Sequence, residues 1–152
     1  LGKHAEARSM QEDTLERLRR VLGEDHPDTL QAANDFAITL NNLKKFTAAR
    51  NMQEDTLERQ RRILGEDHPD TLRSANNLAG MLANLRQIAA AERLFKDTLT
   101  RSRRALGDDH PFIQEITEDL VRVLTAAGKP LEAYKLRGSR TAGQRRSRKK
   151  RG

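Results

Sequence analysis

A nine-residue segment, Leu-Gly-Glu-Asp-His-Pro-Asp-Thr-Leu, occupies residues 22–30 and recurs unchanged at 64–72. A decayed third copy, Leu-Gly-Asp-Asp-His-Pro, fills 106–111, so each copy stands 42 residues after the one before. A fixed period of this length marks an array of repeats, each too small to bury its apolar face without a neighbour. Stacked repeats build an extended surface and not an enclosed catalytic pocket.

On this period the chain divides into blocks 10–51, 52–93 and 94–135, and the first two agree at 27 of 42 positions. In the second block Leu72, Ala75, Leu78, Ala79 and Leu82 fall at helical spacing, and Ala91, Leu94, Phe95, Thr98, Leu99, Ser102 and Leu106 define a further helix. The first block repeats both patterns, so each repeat reads as an antiparallel helix pair. Gly23, Gly65 and Gly107 fall where a left-handed cap is wanted, and the preceding Arg61–Arg62 type of doublet suits the negative end of a helix dipole. Pro27, Pro69 and Pro111 suit a first helical turn, which needs no backbone donor, and Asp28 and Asp70 complement its positive end. The repeated segment is therefore expected to be a helix–loop–helix joint.

These signals give an all-α solenoid of antiparallel helix pairs with seven helical segments, the last one short. The expected boundaries are a half repeat at 1–22, repeats at about 27–64 and 69–106, a divergent repeat at 111–136 and a basic, disordered tail at 137–152. Because Leu1 aligns with Leu43 and Leu85, the chain opens mid-repeat, and residues upstream of Leu1 are expected in a longer protein. The stripe Ala7, Met10, Leu15, Leu18 and Leu22 on the orphan first helix needs cover, which self-association would provide.

A net charge of +7 suggests nucleic acid at first sight, and its placement decides the matter. Residues 137–152 hold eight basic residues and no acidic one, leaving 21 basic against 22 acidic residues in 1–136. The body is close to neutral. Phosphate contact through Arg145, Arg146, Arg148, Lys149, Lys150 and Arg151 is thus the secondary reading, and without interleaved aromatics it would be purely electrostatic. Aromatics are 3 % of the chain, so the core must be aliphatic, and the lack of cysteine removes disulfides and thiolate metal sites. No apolar run approaches the ~20 residues that cross a bilayer. A cytoplasmic protein without membrane association is expected.

His26, His68 and His110 invite a metal reading, but helices of successive repeats stand ~8–10 Å apart, too far for equivalent histidines to share one ion. Each is expected instead to belong to its joint. No Ser/His/Asp or Cys/His constellation and no phosphate-cradling Gly loop occurs, so no catalysis, cofactor or metal is expected.

The two-helix unit resembles the tetratricopeptide repeat, in the 42-residue variant found in kinesin light chains. The resemblance rests on the joint, on Asn76-Asn77-Leu78-Ala79, and on the small pairs Ala79 with Ala91 and Ala37 with Ala49. Phe95 fills the usual large position, where the preceding repeat has Gln53, a departure expected to weaken packing. The resemblance implies a right-handed superhelix whose first-type helices line a concave groove. Groove-facing positions would be Gln31, Asn34, Ile38, Asn41 and Asn42, then Arg73, Asn76, Gly80, Ala83 and Asn84, then Glu115, Glu118, Arg122 and Thr125. It further implies a scaffold holding an extended peptide or partner segment, with Arg73, Asn76, Asn34 and Asn84 as leading contacts, in the manner of the sensor part of a larger signalling protein. An asparagine both donates and accepts, so it mimics a strand edge, and its ~0.5–0.7 kcal/mol helix penalty hints at a use beyond folding.

Overall fold

The computed structural model of the chain describes residues 2–138. Six helices run α1 (Gly2–Leu22), α2 (Pro27–Asn42), α3 (Phe46–Leu64), α4 (Pro69–Asn84), α5 (Ile88–Leu106) and α6 (Pro111–Ala126). Residues 130–138 form a seventh, α7, and no strand occurs among the described residues. The chain is an all-α solenoid, as the period requires.

The three joints share one capping scheme. His26, His68 and His110 hold extended φ/ψ, and each Nδ1 accepts the backbone N–H of the residue two ahead at 3.2 Å. Each histidine is thus an N-cap, a role usually given to Ser, Asp or Asn, with proline behind it. Gly23, Gly65 and Gly107 have φ of +90°, +91° and +84°. At Gly65 and Gly107 ψ is 164° and 156°, which corrects the expected left-handed cap: the backbone occupies an extended region almost exclusive to glycine.

True left-handed caps sit instead at the ends of α2, α4 and α6. Lys45 N–H donates to Leu40 O at 2.9 Å and Lys44 N–H to Asn41 O at 3.0 Å, the paired bonds of a Schellman motif, with Lys44 at φ 61°. Arg86 repeats this at φ 62°, whereas the third repeat places Gly128 there at φ 74°. A side chain in this region is costly, so Lys44→Gly is expected to raise stability by up to about 1 kcal/mol, read from the urea midpoint.

Ala37, Ala49, Ala79 and Ala91 are all fully buried, and their size lets α2 cross α3 and α4 cross α5 closely. Phe95, Leu72, Ile116, Leu120 and Leu124 centre a core over α4–α6, and Leu15, Phe36 and Leu40 centre a smaller one under α1 and α2. Helix α4 approaches both α2 and α6, while α1, α3 and α5 do not reach one another. The row α2–α4–α6 is therefore the tighter, inner face. The stripe on α1 divides: Leu15 is 2 % exposed, whereas Met10 is 70 % and Leu22 41 %. Ala7 lies outside the described side chains.

Ion pairs tie each of the first two joints to the next outer helix. Asp25 accepts from Arg59 at 2.8 Å and Arg62 at 2.7 Å, and one period later Asp67 accepts from Arg101 at 3.2 Å and from Arg104. Arg59 also pairs with Glu24 and with Asp55. Farther on, Glu92, 8 % exposed, takes Lys96 at 2.6 Å and Lys129 at 2.9 Å, fastening α5 to the α6–α7 turn. Hydrogen bonds from Arg59, Arg104 and Lys96 are the largest influences holding Asp25, Asp67 and Glu92 below the usual carboxylate range. Their stabilising contribution is fully present above the unfolded pKa values of about 4 and is lost as pH falls through the lower folded values. Stability at pH 6 should therefore exceed that at pH 3, and the acid loss should shrink in Asp67→Asn. Equal acid sensitivity of that variant in a pH series of urea melts would show that the clamp carries no linkage.

An amide-lined cavity on the inner face

The inner helices surround one cavity of about 570 Å³, α2 and α4 with their C-terminal halves and α6 from Glu115 onward. Met81, Phe95, Val123 and Ile88 supply an apolar lining, and Asn41, Asn76, Asn77 and Asn84 a set of amides. Glu115, Asp119, Arg86 and Arg122 add charge of both signs. Of the positions anticipated from sequence, Ile38, Asn41, Asn76, Gly80, Ala83, Asn84, Glu115 and Arg122 line it.

Others are engaged elsewhere. Gln31 donates to Asp35 at 2.9 Å, Glu118 accepts from Gln114 at 3.0 Å, and Arg73 lies 5.5 Å from the centre of the Phe112 ring. Asn42 and Thr125 are exposed away from the cavity, and Asn34 is 5 % exposed. The basic residues Arg145, Arg146, Arg148, Lys149, Lys150 and Arg151 lie outside the described residues. Asn77, Met81, Asp119 and Val123 were not anticipated. Asn77 adjoins the recognised Asn76, and Asp119 is its counterpart one period on, so the period could have pointed to both.

Asn34 and Asn76 are equivalent in sequence and differ in environment. Asn34 Oδ1 accepts from Gln53 Nε2 at 3.0 Å, Asn77 Nδ2 at 3.0 Å and Ser74 Oγ at 3.3 Å. Gln53, fully buried, also donates to Ser74 O at 3.3 Å, while its own Oε1 has no partner. The position expected to be a packing weakness is thus part of a polar lock joining α2, α3 and α4. One period later the three donor positions hold Phe95, Ile116 and Asp119, none of which donates from its side chain at neutral pH. Asn76 must turn its NH2 toward the Asp119 carboxylate, at 3.4 Å, and its Oδ1 has no hydrogen-bond donor. Asn76 is 4 % exposed. Toward α2 the amides close on each other, Asn84 donating to Asn41 at 2.9 Å. Toward α6 Asp119 pairs with Arg122, whose side chain is 77 % exposed.

The profile of the tetratricopeptide repeat matches residues 1–28, 29–70 and 71–112 in succession. The chain is a tetratricopeptide-repeat protein. Solved structures agree with this repeat fold. A Podosopora anserina kinesin light chain-type protein of nearly identical TPR-like repeats superposes with a TM-score of 0.87 at 23 % identity, over 95 % of this chain and 69 % of that one. BtubC (BKLC) from P. vanneervenii gives 0.85 at 19 % identity, over 97 % of this chain and 59 % of that one. At such identity the likeness shows the fold. No protein of curated function matches the sequence. Within this tetratricopeptide array no helix of the described residues is long and apolar enough to cross a membrane.

Proposed function

We propose that this tetratricopeptide array is a non-catalytic scaffold that holds an extended partner segment along its α2–α4–α6 face. The observation that carries the reading is the inner-face cavity, in which amides surround an apolar floor. Asn84 and Asn77, whose NH2 groups already donate to Asn41 and Asn34, would accept from the partner's backbone through their amide oxygens, and Met81 and Val123 would receive one of its side chains. Asn34 is left out of this contact set because internal donors already saturate it. In a longer chain such a module would serve as the interaction part of a signalling or regulatory protein.

Gly80 provides the test. It lines the cavity on α4, and a Cβ there would meet nothing within 4 Å. Gly80→Leu should therefore fold, with stability raised by roughly 0.5–1 kcal/mol, while its side chain fills the cavity. Twelve-residue peptides selected from a displayed random library on the wild-type chain should lose at least about tenfold in affinity for the variant, ~1.4 kcal/mol. Undiminished calorimetric affinity in a variant that melts no lower than wild type would remove the groove from consideration.

A further inference from the structure

Within the groove reading just given, we infer that the α4–α6 side of the cavity recognises a basic side chain, arginine above all, of the bound segment. The two sides of α4 have opposite hydrogen-bond balance. Toward α2 the amides on the cavity bond one another, Asn77 donating to Asn34 and Asn84 to Asn41, and the unpartnered Gln53 Oε1 of that seam does not line the cavity. Toward α6 acceptors are in excess. Asn76 Oδ1 is buried without a donor, Asp119 accepts only, and Glu115 lies one turn before it on the same wall. A buried acceptor without a donor has lost its bond to water with nothing in return, a cost that a donor-rich ligand recovers on binding.

Arginine fits this deficit better than a neutral group. Its planar guanidinium carries five N–H donors, enough to engage the Asp119 carboxylate and, with a small rotation of the Asn76 amide, that oxygen as well. Its stem would lie along Met81 and Val123, both on the cavity wall. Arg122 occupies the Asp119 carboxylate in the free protein, but its own side chain is 77 % exposed, so the pair is held weakly and exchanges readily. Arg122 acts as a resident stand-in for the ligand's cation. Arg86, on the same cavity, sets a limit: a segment with several adjacent cations would meet repulsion there.

The probes are N-acetylarginine methylamide, its uncharged near-isostere N-acetylcitrulline methylamide, and N-acetylglutamate methylamide. Each is titrated into the whole chain while the Asn76 side-chain amide and the 119–123 backbone amides are followed by NMR. The arginine compound should produce saturable shifts and bind at least about fivefold more tightly than citrulline. Asp119→Asn, which copies the residue found one period earlier, should fold and abolish that preference. Arg122→Ala should tighten arginine binding by about threefold by removing the competitor. Absence of saturation with arginine, equal binding of citrulline, stronger binding of glutamate, or a preference that survives Asp119→Asn would each overturn the inference. If these arms fail while library peptides still respond to Gly80→Leu, the groove stands and only its preference for a basic side chain falls.

Discussion

Asn34→Ala is expected to destabilise the chain by roughly 2–4 kcal/mol, because one truncation leaves three donors without their shared acceptor. Those donors are Gln53, Ser74 and Asn77, which come from α3 and α4, so the loss would loosen the seam between the first two helix pairs. Gln53→Leu is the informative partner. It removes one donor together with an amide oxygen that has no bond, and Asn34 keeps two donors. Its cost should stay within about 1 kcal/mol. Urea unfolding of the two variants checks the contrast. Similar losses in both would mean that the site is simply intolerant of change and that Asn34 is no hub.

Phe95→Ala is expected to cost roughly 3–5 kcal/mol, the range for emptying a large buried site. Phe95 is 1 % exposed and joins α4, α5 and α6, so little can collapse into its space. In an array each unit leans on its neighbours alone, and the damage should concentrate where the residue packs. Hydrogen exchange should therefore rise in α5 and α6 before α1 and α2, whereas Phe95→Leu should cost under about 1.5 kcal/mol. A uniform rise along the chain would show that the repeats unfold as one unit.

The helices, joints and close crossings were legible because they depend on residues near in sequence. Proline, histidine and glycine at fixed offsets mark each joint, and Ala37, Ala49, Ala79 and Ala91 recur at the period. What escaped depends on pairs that meet across a seam. Arg62 and Arg104 read as complements to their own helix dipoles, yet they hold Asp25 and Asp67 of the preceding joint, 37 residues away. Gln53 read as a packing defect because its partner Asn34 lies 19 residues before it and Ser74 21 residues after. Asn34 and Asn76 read as twin ligand contacts because a single period makes them identical. Their difference arises from Phe95, Ile116 and Asp119, ordinary substitutions until the fold sets all three around one amide. The ψ of Gly65 and Gly107 escaped for a simpler reason, since a positive φ is all that glycine at a helix end declares.

That one side of α4 is sealed while the other is open to a partner can be measured directly. Hydrogen exchange of the chain, free and saturated with the tightest library peptide, should show protection gained along the inner helices α4 and α6, greatest over residues 76–84 and 115–123. Protection gained on α1, α3 or α5, or centred on the sealed α2–α4 seam around Asn34, would contradict an inner-face site that opens toward α6.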